Sequence, residues 1–492
     1  MPRDVIILAS LGIYLILCIA VGIWALKRTE SSSDFFMAGR SLGVFLTAFA
    51  VFSSTMSGFG FVGGPGLVYS MGTSSFWIIC SGSLGYLMAF TVLSKRIRLL
   101  GELRDCVSLP DVVGARYNST SVQAWISVAI ILGVLGYLAT QILAMAIVLR
   151  DILNQAGFFG EFSLEMCMVL SCAVLVFYSV TGGIVASVYT DLIQGGVMIV
   201  AAILVFVTVL FTFDGGMTEM NTIIQADDAG AIGPWGTIGM IGCISWLFVF
   251  SVGSLGQPHV ITKIMMNKKV SDAKSILPVS VFGYMVTALL WVGIGLVMRA
   301  LVLSGGHPEL ASPDEAASQF LQTYAHPLLA GIVFAGLFAA IMSTADGFLN
   351  IGTAAIVHDL PKAIKGRTIK RELLWARIVT VLLAIVASVF ALYTGDLVAL
   401  LGAFGWGTFA AAIVPVVALG FNWKRATPLA ANVAIISSLV INFTVKVGKI
   451  SMPYNIDVGA FALIVSLTLF IGISLMSTPK KIDADVEAVM DL

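Results

Sequence analysis

Apolar runs of about 20 residues, the length a helix needs to cross the hydrocarbon core of a bilayer, recur along almost the whole chain with short polar stretches between them. A window of that length predicts thirteen spans. They are a leading helix, Val5–Leu26, followed by helices one to twelve. Helices one to five are Leu42–Tyr69, Ser75–Ser94, Val122–Leu149, Glu165–Ser179 and Tyr189–Phe213. Helices six to ten are Ile238–Leu255, Ile276–Leu303, Leu328–Val357, Leu373–Leu392 and Leu397–Gly420, and helices eleven and twelve are Leu429–Val447 and Val458–Met476. The fold class is therefore an all-α integral membrane protein.

Two of the spans are interrupted. Helix one carries "VFSSTMSGFGFVGGPG" (Val51–Gly66) at its middle, and helix six ends in "FVFSVGSLGQPH" (Phe248–His259), both dense in Gly and Ser where a lipid-facing helix would be apolar. Backbone that leaves helical geometry at membrane depth has to be buried or line a cavity, because an unsatisfied peptide group costs several kcal/mol in hydrocarbon. The breaks lie five helices apart, and five is odd. A repeat of helices one to five onto six to ten would therefore be inverted in the membrane, and broken helices at matching positions of inverted halves point to a transporter's midplane site. The organisation predicted is 1–41, leading helix and first loop; 42–213, first five-helix repeat, broken near 53–66; 238–420, second, inverted repeat, broken near 251–257; and 421–492, two trailing helices and a short tail.

Composition removes the alternatives to a membrane setting. A chain of 492 residues that is 59% hydrophobic and only 11% charged, with 49 glycines and a mean hydropathy of +1.00, is no soluble globular domain. The first apolar stretch is too long for a signal-peptide core and has no small-residue cleavage site before Lys27-Arg28, so it is expected to stay as a helix. Zero net charge argues against a nucleic-acid partner. The six cysteines are scattered without metal-ligand spacing and read as packing residues. With alternate loops assigned to one side, 22 of the 27 Lys and Arg fall together, which predicts an outside N-terminus and a cytoplasmic C-terminus in the cell (inner) membrane.

The candidate chemistry lies in "AIMSTADGFLN" (Ala340–Asn350), in the middle of helix eight. A sodium ion at the midplane needs about five or six oxygens, which freed carbonyls and hydroxyls can supply. Ser343 and Thr344 offer two hydroxyls, the Ala340 carbonyl lies one turn earlier, and the unwound part of helix one could supply the rest. A carboxylate at mid-helix, Asp346, costs about 2.5–3.5 kcal/mol even on the lenient insertion scale and so points to function. It shares a face with Ser343. Asp191, at the start of helix five, could join them if helices five and eight pack together. Three uses stay open for Asp346: a ligand of a second cation site, a proton carrier, or a structural acid bonded to a break.

The stretches "DFFMAGRSLG" (Asp34–Gly43), "MSG" (Met56–Gly58), "TDLIQGG" (Thr190–Gly196), "GQPH" (Gly256–His259) and "AAIMST" (Ala339–Thr344) resemble the sodium:solute symporter family, in particular its bacterial sodium/proline symporter-like branch. The resemblance implies a leucine-transporter-type five-plus-five inverted repeat with one leading and two trailing helices, in agreement with the span count. It implies a conserved sodium site at the main-chain oxygens of Ser53, Met56 and Ala340 and the hydroxyls of Ser343 and Thr344. It also implies, in some members, a second cation site at Asp191, Ser343 and Asp346; those members carry a hydroxyl residue at the Asp346 position. On the substrate side Thr55 stands where the proline branch has an aspartate, Phe59 where it has a tryptophan, and Ser254 where an aromatic would join Phe250. Tyr137 matches, and Gln141 one turn later could read a substrate amide or carboxylate or simply bridge helices. With Ser54, Ser57 and Gly58 at the first break and Gln257 at the second, these are the candidate substrate contacts. "FVGGPG" (Phe61–Gly66) is similar to the pantothenate branch.

The function expected is sodium-coupled symport of a small organic solute, an amino acid such as proline or a small carboxylate such as pantothenate, by alternating access. The alternatives are a proton-coupled symporter of the same fold using Asp346 and Asp191, and, in a different class, a channel or membrane-embedded sensor. Sodium is the co-transported ion, with no organic cofactor, no nucleotide and no enzymatic activity expected. There is no Walker A sequence, and His259, His307, His326 and His358 fall at span ends or in loops and read as interfacial.

Overall fold

The computed structural model describes residues 2–26, 42–157 and 160–492, with the side chains of 21–26 and 181–190 and a few single positions in those two helices left out. The basic loop Lys27–Arg40 and all but the last two residues of the Asp34–Gly43 motif lie outside the described residues. Everything described is helix and connection, apart from one parallel bridge between Leu42 and Asn267 that ties the start of helix one to the end of helix six.

Nine helices among the described residues are long and apolar enough to span, and three shorter apolar helices accompany them. One of these, Val44–Thr55, is short for a physical reason. Helix one is cut: Val44–Thr55 stops at Met56, whose ψ of 57° leaves the helical range, and the chain resumes as a π turn, Phe59–Gly63, and a helix, Gly64–Met71. The Ser54 and Thr55 hydroxyls bond back to the Val51 carbonyl at 3.0 and 3.2 Å and compete with the ladder there. Helix six is cut in a different way. Gly239–Gly253 tightens to a 3-10 turn, Ser254–Gly256, then Gln257 is extended (ψ 111°) before Pro258–Met266. Pro258 has no N–H and pushes the residue before it out of the helical region, so this break is written into the sequence.

One pair of predicted spans differs. Where Glu165–Ser179 and Tyr189–Phe213 were expected to be separated by a loop, helical backbone runs on through Leu164–Leu210, 47 residues. The connecting segment contains two adjacent glycines but neither a proline nor a polar turn cluster, so nothing obliges it to leave helical geometry.

Helix eight, Pro327–Ala354, packs on this long helix, on the leading helix and on helix three, while helix ten, Val398–Val414, lies on helix three. The packing of helices five and eight that the Asp191 reading required is thus present. Trailing helices Pro428–Val447 and Val458–Met476 pair, and Gly407 meets Gly459 backbone to backbone across helices ten and twelve, where any side chain would collide. Helix nine, Glu372–Thr394, leaves Leu382, Ile385, Val386 and Val389 exposed, a face suited to lipid. At the end rich in Lys and Arg, the loop helix Leu109–Tyr117 is fastened by Asp111, which accepts from Gln123 Nε2 (2.9 Å) and Lys362 Nζ (2.8 Å) and faces His358 Nε2 (3.3 Å). Asp111, His358 and Asp359 cluster closely, and the Lys362 ammonium on the Asp111 carboxylate makes an ionic knot of them.

Candidate functional site

The first break frees carbonyls. The last four carbonyls of a helix have no partner within it, and of Phe52, Ser53, Ser54 and Thr55 at the end of the first half of helix one, only Phe52 is recaptured by a main-chain N–H, that of Met56. Helix eight faces that end with its hydroxyls. Thr344 Oγ1 donates to the Ser54 carbonyl at 3.5 Å, and Ser343 Oγ donates to Asp191 Oδ1. Ser53, Ser54, Asp191, Ser343, Thr344 and Asp346 are all buried. Helices one, five and eight therefore meet here, through the Thr344–Ser54 and Ser343–Asp191 contacts. Ala340 differs in one respect. It sits inside regular helix, so its carbonyl would have to serve an ion with its second lone pair instead of being freed by a loosened turn.

Gln141 is committed to the break. Its Oε1 accepts from the Gly58 N–H at 3.0 Å and its Nε2 donates to Ser57 Oγ at 3.2 Å, so of the two roles left open for it the structure shows the bridge between helices. Three other candidate contacts also spend their polar atoms on protein. Thr55 Oγ1 receives the Tyr86 hydroxyl at 2.6 Å, Ser254 Oγ donates to the Phe250 carbonyl at 2.9 Å, and the Gln257 amide donates to Gly253 and Trp406 carbonyls at 3.1 and 3.2 Å. Gln257 keeps a buried Oε1 without a partner.

The aromatic candidates form part of a longer chain of rings. Trp291 lies 5.5 Å from Phe59, Phe59 lies 5.9 Å from Phe250, and Phe250 lies 5.3 Å from Trp406. Trp406 leads to His259 at 6.1 Å, and Phe348 then stands 5.0 Å from His259 and 4.3 Å from Tyr137. Trp291, Trp406 and Phe348 escaped the sequence reading, and His259 was read as interfacial. His259 is also a correction: its ring is 3% exposed, inside this aromatic cluster, and not at the membrane surface. Pro258 starts a helix deep in the bundle, and the residue after it is carried inward with it. Only Phe348 gave a signal in advance, one turn after Thr344 on the same face. Lys263 likewise belongs inside. The loop-charge tally counted it with the surface, but it is buried in the second half of helix six.

Residues 35–440 match the model of the sodium:solute symporter family. The chain belongs to that family. This sodium:solute symporter is a multi-pass membrane protein that couples solute movement to sodium. It is 28% identical to the osmoregulated proline transporter OpuE of Bacillus subtilis (strain 168), over 99% of this chain and 98% of the relative. It is also 28% identical to the sodium/proline symporter of Staphylococcus aureus (strain JH9), over 88% of this chain and 84% of that one. Among solved structures, a substrate-bound, outward-open Na+-coupled sialic acid symporter superposes with a TM-score of 0.75 at 20% identity, covering 97% of this chain and 99% of the other. The nucleobase-cation-symport-1 family transporter Mhp1 superposes with a TM-score of 0.56 at 14% identity, covering 93% and 98%. The fold is thus the leucine-transporter type.

Proposed function

We propose that this symporter carries proline, or a neutral amino acid of similar size, into the cell together with sodium. The observation that carries the sodium part is the meeting of helix eight with the freed end of helix one, where the Thr344 hydroxyl reaches the Ser54 carbonyl. Two supports bear on the substrate. The rings from Trp291 to Tyr137 form an apolar, aromatic cluster beside both breaks, the kind of surface a small saturated ring packs on, and both bacterial relatives named above are proline transporters. No Arg or Lys stands among the candidate substrate contacts, so a substrate carboxylate would be held by helix ends, hydroxyls or the bound ion.

In this reading Ser53, Met56, Ala340, Ser343 and Thr344 hold the ion, and 42–213 and 238–420 are the two inverted halves that move around it. The N-terminus lies outside and the C-terminus in the cytoplasm. One cation entering gains about 2.3 kcal/mol per 100 mV, and a tenfold inward gradient adds about 1.4 kcal/mol, so a single sodium ion can concentrate solute several hundred-fold. The test is uptake of labelled proline, other neutral amino acids, pantothenate and short monocarboxylates into proteoliposomes under an imposed sodium or proton gradient. Sodium-driven accumulation of proline is expected. Accumulation that follows the proton gradient alone would transfer coupling to Asp346 and Asp191, and flux that only equalises concentrations would make the protein a channel.

A further inference from the structure

Asp191 already has a cation. Lys263, the only lysine buried among the described residues, comes from the second half of helix six, and its Nζ lies 3.8 Å from Asp191 Oδ2. The same ammonium donates to the main-chain carbonyl of Ala50, one turn before the freed end of helix one. The other carboxylate oxygen of Asp191 accepts from Ser343. A carboxylate oxygen and a peptide carbonyl are the kinds of ligand a sodium ion would take, and here a monovalent cation tethered to the chain has them.

Given the sodium reading above, we propose that the Lys263 ammonium is a built-in counter-cation which takes the Asp191 and Ser343 part of the second cation site expected at Asp191, Ser343 and Asp346, so that each protein molecule binds one sodium ion and not two. Two unit positive charges a few ångströms apart in a buried setting repel strongly, and Asp191 can neutralise only one of them. The Ser53, Met56, Ala340, Ser343 and Thr344 group is left for the ion that moves, since Ser343 gives only its proton to Asp191 and keeps oxygen lone pairs. The geometry also divides along the fold. Lys263 and Ala50 belong to the two broken helices, whereas Asp191 and Ser343 belong to helices five and eight, so the ion pair joins the two groups wherever they are in contact. A free sodium ion at Asp191 would need to be captured in every cycle, but a tethered ammonium is always present at high local concentration.

Equilibrium binding of radioactive sodium to the purified full-length chain tests this, with native protein, Lys263→Met, Lys263→Gln and Lys263→Arg compared. Native protein and Lys263→Arg are expected to bind one sodium ion with a Hill coefficient of one. Removing the charge in Lys263→Met or Lys263→Gln is expected to raise the count to two and the Hill coefficient toward two. Two ions on native protein would overturn the proposal without recourse to any variant. One ion of unchanged affinity in all four proteins would overturn it and leave sodium coupling standing, whereas no sodium on native protein would sink both.

Discussion

Replacing Gln141 by leucine tests whether the first break is held open from helix three. Gln141 is completely buried, and its amide spans two groups of the break, the Gly58 N–H at 3.0 Å and the Ser57 hydroxyl at 3.2 Å. Leucine has nearly the same volume and none of the polarity. The Gly58 N–H then stays buried without an acceptor, a penalty of about 1–3 kcal/mol, and the lost bond to Ser57 adds about 0.5–1.5 kcal/mol. The break cannot easily shift to compensate. A Cβ at Gly58 would already lie 2.7 Å from the Ala144 side chain, so helix one and helix three are in contact there. The sum is about 1.5–4.5 kcal/mol, and at 1.4 kcal/mol per factor of ten this weakens sodium binding by about 10- to 1,600-fold if the whole loss falls on the sodium-competent break. The assay is a sodium titration of purified Gln141→Leu against native protein, together with a Ser57→Ala double-mutant cycle whose coupling is expected to be about 0.5–1.5 kcal/mol. A Gln141→Leu protein with native sodium affinity and native thermal stability would show that the bridge has no part in shaping the site.

Gly64→Ala would set a Cβ 1.3 Å from Trp291 Nε1, so it is expected to lose about 1–3 kcal/mol by overpacking, read as faster thermal inactivation, and to be largely rescued by Trp291→Leu in the same chain. Burial pushes the Asp314 carboxyl up to about 7 against the opposing hydrogen bond from the Val398 N–H, and the unfolded value is about 3.9. The folded state therefore prefers the protonated acid: its contribution to stability is complete below about pH 4 and is lost as pH rises through about 7. Asp314→Asn is expected to flatten the decline in thermal stability between about pH 4 and 7, and an unchanged slope would contradict the assignment. Asp111→Ala strands His358 and Gln123 at the basic end and is expected to destabilise by about 3 kcal/mol, measured as loss of folded protein in a detergent melt.

The sequence carried the architecture further than it carried the contacts. Length and apolarity sufficed for the spans, and the density of Gly and Ser in Val51–Gly66 and Phe248–His259 sufficed for the breaks, because both are properties of a continuous stretch. The second break, expected near 251–257, ends at Pro258. Helix continuity through 181–190 was not legible, since a glycine pair weakens a helix without ending it. The site was half legible. Ser343 and Thr344 announced themselves as hydroxyls amid apolar residues, but their partners Asp191 and Ser54 are 152 and 290 positions away in the chain, and spacing says nothing about such pairs. Trp291 and Trp406 went unseen for the same reason. An aromatic residue in an apolar span looks alike whether it faces lipid, core or substrate. Lys263 was misread because a basic residue near a span end is usually at the surface, and only its neighbours reveal that it is not.

The central claim is that the convergence of helix eight on the freed end of helix one is where sodium binds. The sodium dependence of solute uptake in proteoliposomes, for native protein beside Thr344→Ala, tests it most directly. Losing an outer-shell partner of a metal ligand commonly costs 10–100-fold, so removing a direct oxygen is expected to raise the half-saturating sodium concentration by about 100-fold while leaving the protein folded. A Thr344→Ala protein that takes up solute with the native sodium dependence would contradict the account.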